Sequence, residues 1–206
     1  MRTILITDVQ RYGRERTLEV IHQAFVAGVE AVQVHEKEWM ARELLGFVVE
    51  ILSLAEEFGA RVFVNDRLDI ALSSGAHGVH LDDDALHPEA ARELARRLER
   101  DDFLIGVLVH NRADVARASA GMADYALFGP LYSSPDEDEF GPPLGINALG
   151  VVCADRWVPV LAVGGITPEN AGEVLAAGAA GVACTRAIFE ADDPGDAARC
   201  LVEATR

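Results

Sequence analysis

Short apolar runs alternate with segments of helical period along this chain, and that alternation limits the fold more than any other feature. Eight runs are read as strands: Ile4–Thr7, Ala31–His35, Arg61–Asn65, Gly78–Leu81, Leu104–Val109, Tyr125–Gly129, Val158–Val163 and Gly181–Cys184. They are rich in Val, Ile and Leu and lack polar alternation, as parallel strands covered on both faces do. Between them lie amphipathic stretches such as Arg42–Phe58, Pro88–Arg100 and Pro168–Ala176. Thr167-Pro168 supplies a helix start, a capping hydroxyl followed by proline at the first helical position. Spread over 206 residues, eight units have about 26 residues each, near the minimum for a βα unit.

An open doubly wound sheet and a closed barrel both alternate β and α. A helix–Gly–strand junction separates them. It recurs at Gly28, Gly75, Gly121 and Gly178, before the second, fourth, sixth and eighth strands. Glycine there suits the left-handed position that ends a helix. A repeat at every second unit has a reason in a barrel and none in an open sheet, so the expected fold is α/β, a (βα)8 TIM barrel, with residues 1–206 as a single domain. The one irregular stretch, 132–145, follows strand six and falls over the active face of such a barrel.

A net charge of −16 repels phosphate backbones and anionic lipid, so neither a nucleic-acid partner nor membrane association is expected. Cys153, Cys184 and Cys200 form no C-x-x-C pair and have no histidine at zinc-site spacing, which argues against a disulfide framework and fits a reducing compartment. No run of 18 apolar residues and no signal-peptide pattern occur, so a cytoplasmic location is expected. The basic residues are 17 arginines and one lysine. That lysine, Lys37, follows a predicted strand, which marks it for function.

Chemistry in a barrel belongs at the C-terminal ends of the strands. There the sequence places Thr7-Asp8, Gln33/His35/Glu36/Lys37, Asn65-Asp66, His80/Asp82/Asp83/Asp84, His110-Asn111, Gly129-Pro130, Gly164-Gly165 and Thr185-Arg186. Gly164-Gly165 leads into a helix start, where backbone N–H groups and the helix field suit a phosphate; Thr185 and Arg186 add a hydroxyl and a guanidinium. The alternative is that Gly-Gly only permits close packing. His110 ends an apolar run and is expected to face the mouth as a general acid/base. His80 is expected to pack inward, with His22, His77 and His87 on the surface. Asp66 and the Asp82–Asp84 triplet suit either a magnesium ion or blander roles, Asp66 as a helix N-cap and the triplet as a solvated run.

VQVHEK (32–37), VNDRLDIALSSGAHGVHL (64–81), ADYALFGPLY (123–132) and AVGGITPENAGEVLAAGAAGVACTRAIF (162–189) resemble the thiamine-phosphate synthase/TenI family, in family order over nearly the whole chain. Synthases of this family join a pyrimidine diphosphate to a thiazole phosphate with Mg²⁺. The resemblance implies a diphosphate clamp at Gln33, His35 (an arginine in the pattern), Lys37 and Asn65, with magnesium on Asp66 and on an aspartate whose place is taken by Ala85. Asp84 would have to shift in as the second ligand. Leu108 replaces a serine, and Ser134, Asp136 and Glu137 replace two threonines and a lysine that grip the diphosphate. Two carboxylates at 4–6 Å from a diphosphate would repel it by about 1 kcal/mol or more each.

These departures, with the GPPLG stretch (141–145), point to the TenI branch, thiazole tautomerases that aromatise thiazole carboxylate phosphate without a metal cofactor. On that expectation His110 shuttles the proton and Lys37 orients the carboxylate, while Gly129, Gly164, Gly165, Thr185 and Arg186 hold the phosphorylated thiazole. The alternatives are a Mg²⁺-dependent thiamine-phosphate synthase, to which Lys37 and Asn65-Asp66 point, and a non-catalytic phosphate-binding regulatory barrel. The family likeness is also compatible with a homodimer.

Overall fold

A computed structural model describes residues 1–135 and 141–206. Eight parallel strands close into a barrel in chain order: β1 (Thr3–Ile6), β2 (Ala31–Val34), β3 (Arg61–Asn65), β4 (Gly78–Leu81), β5 (Leu104–Val109), β6 (Tyr125–Phe128), β7 (Val160–Val163) and β8 (Gly181–Cys184). The ring is shut by β1 against β8, with Thr3 opposite Val182 and Leu5 opposite Cys184. All eight expected strands exist. Four have the expected bounds, and the others are shorter by one or two residues at an end or, for β1, shifted by one.

The main outer helices are α2 (Arg14–Val26), α3 (Ala41–Phe58), α4 (Leu68–Ser74), α5 (Pro88–Arg97), α6 (Arg112–Ala120), α7 (Ile146–Cys153), α8 (Pro168–Ala176) and α10 (Pro194–Ala204). Two single-turn helices, α1 (Val9–Tyr12) after β1 and α9 (Arg186–Phe189) after β8, were not foreseen. A four-residue turn carries too little periodicity to read. At α8 the expected capping holds, with Thr167 at the cap and Asn170 completing a capping box.

The strands are buried on both faces because they separate two cores. Outward-facing Val, Leu and Ile side chains meet the helices in one large cluster. Inside the ring a smaller cluster of Ile4, Ala31, Phe63, Tyr125, Leu127, Leu161 and Ala183 fills the lumen. Phe63 and Tyr125 meet edge to face at 5.3 Å.

The glycine junctions are left-handed at Gly28 (φ 97°), Gly75 (φ 82°) and Gly178 (φ 107°), as expected. Gly121 is a correction. Its φ is −78°, and the left-handed residue is the next one, Met122. Gly121 is demanded by space instead: a Cβ there would lie 2.6 Å from Pro88 Cγ. Three of the four repeats are conformational and the fourth is steric.

Below the mouth, Gly106 makes room for Tyr125; a Cβ on Gly106 would lie 2.1 Å from Tyr125 Cζ. Gly106→Ala is expected to destabilise the protein by about 1–3 kcal/mol through overpacking, and Tyr125→Leu in the same chain should recover part of it. Urea unfolding of the single and double variants measures both.

Candidate active site

Because the strands are parallel and the ring is closed, every strand's C-terminal end opens on one face, and the polar residues predicted there converge. The centre of the constellation is Asp82, just after β4. Lys37 Nζ lies 2.6 Å from Asp82 Oδ2. Asn65, the last residue of β3, donates to the same oxygen at 3.2 Å and to Asp66 Oδ2 at 3.0 Å. Asn65 Oδ1 in turn accepts from Gln33 Nε2 at 2.9 Å. Gln33, Lys37, Asn65, Asp66 and Asp82 are therefore one bonded network across the ends of β2, β3 and β4.

Charge in this network is set by burial and by its single ammonium. Burial raises the Asp66 carboxyl above the usual carboxylate range and the backbone N–H of Asp82 works against it, while Asp82 and Asp84 add to the rise. Asp82 goes the other way: burial would raise it, but the bonds from Lys37 and Asn65 outweigh that and hold it low. Burial would lower Lys37, and its bond to Asp82 prevails and raises it. His35 is lowered by burial and then by Lys37, so a neutral imidazole stands where the family pattern has a permanent guanidinium.

Asp66 is not the helix cap that one expectation made it. Arg67 occupies the N-cap position of α4. Asp66 instead adopts φ 54° and accepts the Asp82 backbone N–H at 2.8 Å. A left-handed non-glycine residue is held against its preference, as happens at sites where one side chain must be aimed. Asp84 lies in the turn after Asp82, exposed, and near enough to act on the charge of Asp66 and Lys37.

His110 reaches the mouth at the end of β5. Its Nδ1 is 2.6 Å from the Gly129 carbonyl oxygen and its Nε2 is 2.9 Å from Asp83 Oδ2. The apolar run that leads to this ring thus ends beside a carboxylate. His80 packs inward as expected, 1 % exposed, and stacks near Tyr125 with ring centroids 5.7 Å apart. His80 Nδ1, the Tyr125 hydroxyl and Gln33 Oε1 are buried with no partner among the described residues. Such atoms are costly, so packing rather than bonding holds this layer. His77 is half-buried rather than on the surface, and its Nδ1 accepts from the Val62 N–H at 3.1 Å.

On the opposite side, Gly164 and Gly165 have φ of 94° and 65°. The close-packing reading of this pair has support. A Cβ on Gly164 would meet Pro130 Cα at 2.7 Å and one on Gly165 would meet Tyr132 Cβ at 2.8 Å, so close packing requires glycine. Asn170 Nδ2 also draws in the Gly165 carbonyl at 2.9 Å. Thr185 and Arg186 follow β8, and Arg186 Nε and Nη2 donate to Glu190 Oε2 at 3.1 and 3.0 Å.

Sequence reasoning placed several participants at strand ends without giving them a role or a partner. Glu36 is buried and accepts from Thr7 Oγ1 at 2.6 Å and from the Val9 N–H at 3.0 Å, pinning the loop after β1 to β2. Its only signal was a charge immediately after a buried strand. The pairing of Asp82 with Lys37 and of Asp83 with His110 depends on distances between strands, which no local pattern carries, whereas Glu190 stands four residues after Arg186, a local spacing that sequence reasoning passed over. Asp136 and Glu137, on which the expected repulsion of a diphosphate rested, lie outside the described residues.

Fold and site together define a TIM-barrel protein whose functional face is a mouth of paired carboxylates and cations at the strand C-termini. The family model described as "Thiamine monophosphate synthase" matches residues 3–188, and the chain belongs to that family. A thiamine-phosphate synthase of Methanoculleus marisnigri is 38% identical over 202 residues, covering 96% of this chain and 92% of its own. A Geobacter sulfurreducens protein, assigned the same activity provisionally, is 43% identical over 96% of this chain and 91% of its own. A thiamine phosphate pyrophosphorylase structure from Pyrococcus furiosus superposes with a TM-score of 0.88 at 29% identity, covering 99% of this chain and 95% of that one. These relatives carry the synthase name, so the comparisons support the synthase alternative and give no support to the tautomerase reading preferred from the sequence. Among the described residues no helix is long and apolar enough to cross a membrane.

Burial lowers His80 from 6.5 to about 4, with Asp82 partly opposing and His35 and Lys37 adding to the fall. The unfolded chain then binds one more proton than the folded one between those values, so stability rises with pH across that window and is lost as pH falls through it. The effect approaches about 3 kcal/mol at its limit. The slope of unfolding free energy against pH between 4 and 6.5 is expected to drop by about one proton in His80→Asn. Denaturant titrations at stepped pH give that slope whatever the variant's absolute stability.

Proposed function

We propose that the chain is a thiamine-phosphate synthase, a transferase that joins a pyrimidine diphosphate to a thiazole phosphate. The observation that supports this reading over a tautomerase is the bonded cluster of Gln33, Lys37, Asn65, Asp66 and Asp82 on adjacent strand ends. A tautomerase has no diphosphate to hold. In the coupling, the bond from the pyrimidine methylene to the diphosphate oxygen breaks, the oxygen keeps the electron pair, and the thiazole nitrogen bonds to the methylene.

The donors suit Mg²⁺. It is a hard cation that takes one or two carboxylates beside substrate phosphate and keeps several waters. Asp66 and Asp84 would hold it, and the raised Asp66 carboxyl is the kind of charge a cation relieves. No group of three or more His, Cys, Asp or Glu side chains placed to hold a metal occurs among the described residues, which a site completed by substrate oxygens does not require. When bound, the ion supplies neutralisation of diphosphate charge.

The chain's own groups do the rest. Lys37, freed from Asp82, binds the diphosphate, with Gln33, His35 and Asn65 orienting it. On the thiazole side Gly129, Gly164, Gly165, Thr185 and Arg186 take the phosphate. In support, the N–H groups of Gly165 and Ile166 donate to no acceptor among the described residues, and such unspent amides before a helix suit an anion. His110 adds a donor to the mouth at the anionic end of the substrates.

The purified protein is expected to form thiamine phosphate from pyrimidine diphosphate, thiazole phosphate and Mg²⁺, and to stop on chelation. Lys37→Ala and Asp66→Ala should each cost at least about 100-fold in kcat/KM. A parallel reaction with unaromatised thiazole carboxylate phosphate is the control. Aromatisation there without coupling would restore the tautomerase, and silence in both would leave the binding barrel.

A further inference from the structure

Both ring nitrogens of His110 face acceptors, the Gly129 carbonyl at 2.6 Å and Asp83 Oδ2 at 2.9 Å. A carbonyl accepts and an ionised carboxylate accepts, so both contacts are hydrogen bonds only when each nitrogen carries a proton. The two partners differ in freedom. Gly129 is fixed in the barrel wall, where its N–H reaches the Val109 carbonyl and a Cβ would lie 2.3 Å from Val163 O. Asp83 sits on a turn with its side chain 63% exposed, and the His110 side chain is 34% exposed.

The neighbouring pair behaves differently. Asp82 holds Lys37 but is also tied by Asn65, and its side chain is only 13% exposed. Asp114 receives the His110 backbone N–H at 2.9 Å and pairs with Arg117, so it is already occupied. Among the described carboxylates around His110, Asp83 alone combines contact with the ring and freedom to leave.

We propose that Asp83, in contact with His110 Nε2, occupies the place that an anionic substrate oxygen takes there. Substrate binding at this edge is then an exchange: the phosphate oxygen replaces one carboxylate oxygen on the same N–H, and Asp83 rotates into solvent. The inference rests on the reading that the mouth receives phosphorylated substrate. It assigns the Asp83–His110 contact as a resting-state competitor, not a fixed structural bond.

Inorganic diphosphate titrated calorimetrically into the metal-free, full-length protein tests this without turnover. Asp83→Ala removes the competitor and is expected to tighten binding about three- to five-fold, the scale of one exposed ion pair. Asp83→Asn, which keeps the shape and loses the charge, should shift it in the same direction. In a His110→Gln background, Asp83→Ala is expected to change nothing. Equal tightening with and without His110 would reduce Asp83 to a general repulsive charge and overturn the inference, as would unchanged binding in Asp83→Ala. Absence of diphosphate binding in every variant would instead sink the reading of the mouth, and the inference with it.

Discussion

Closure of the ring by β1 against β8 is the constraint on which the rest depends. Once eight parallel strands share one cylinder, their C-terminal ends lie on one face, and residues far apart in sequence become neighbours. Lys37 and Asp82 meet because β2 pairs with β3 and β3 with β4. His110 meets the Gly129 carbonyl because β5 pairs with β6. The lumen must then be filled to hold that cylinder. Tyr125 does much of this, and it can do so only because its neighbour at position 106 has no side chain.

A mouth built this way carries more carboxylates than cations, and its donors are not idle. Lys37 rests on Asp82, His110 on Asp83 and Arg186 on Glu190. On the proposed function, an anionic substrate would compete for groups already paired with carboxylates. Exposed pairs are worth little, about 0.2–1 kcal/mol, so exchange at Asp83 or Glu190 is cheap. The pair at Asp82 is more buried and shares its oxygen with Asn65, so its release is the costlier step. A divalent cation near Asp66 and Asp84 would offset part of that cost, which couples metal and diphosphate binding.

The barrel was legible because its signals are local and repeated. Apolar runs, helical periods and the junctions at Gly28, Gly75 and Gly178 each need only a few adjacent residues. Gly121 shows the limit, since glycine there answers to Pro88, 33 residues away in sequence, and not to its own backbone. The site was legible as addresses rather than as pairings. Strand ends placed Gln33, Lys37, Asn65, His110 and Arg186 on one face, but partners such as Asp82 and Asp83 depend on which strand ends stand side by side. The choice of tautomerase over synthase rested on His35, Ala85 and Leu108 in place of the family's residues and on a loop, 134–145, where residues substitute freely. The network on β2, β3 and β4 is built into the barrel and is the better guide to chemistry.

Asp66 shows how that network exchanges stability for readiness. Its backbone is left-handed at φ 54°, and its carboxyl is raised by burial with Asp82 and Asp84 close by. Strain of this kind costs on the order of 1–3 kcal/mol. Both costs fall on a residue whose oxygens already receive the Asp82 and Asn65 N–H groups. Those two bonds fix the carboxylate before any ligand arrives, so its orientation is settled during folding rather than at binding. A flexible aspartate would be more stable at rest and would have to be ordered by each substrate in turn. The pairing of β3 with β4 and the bonds from Asp82 and Asn65 hold it in place instead.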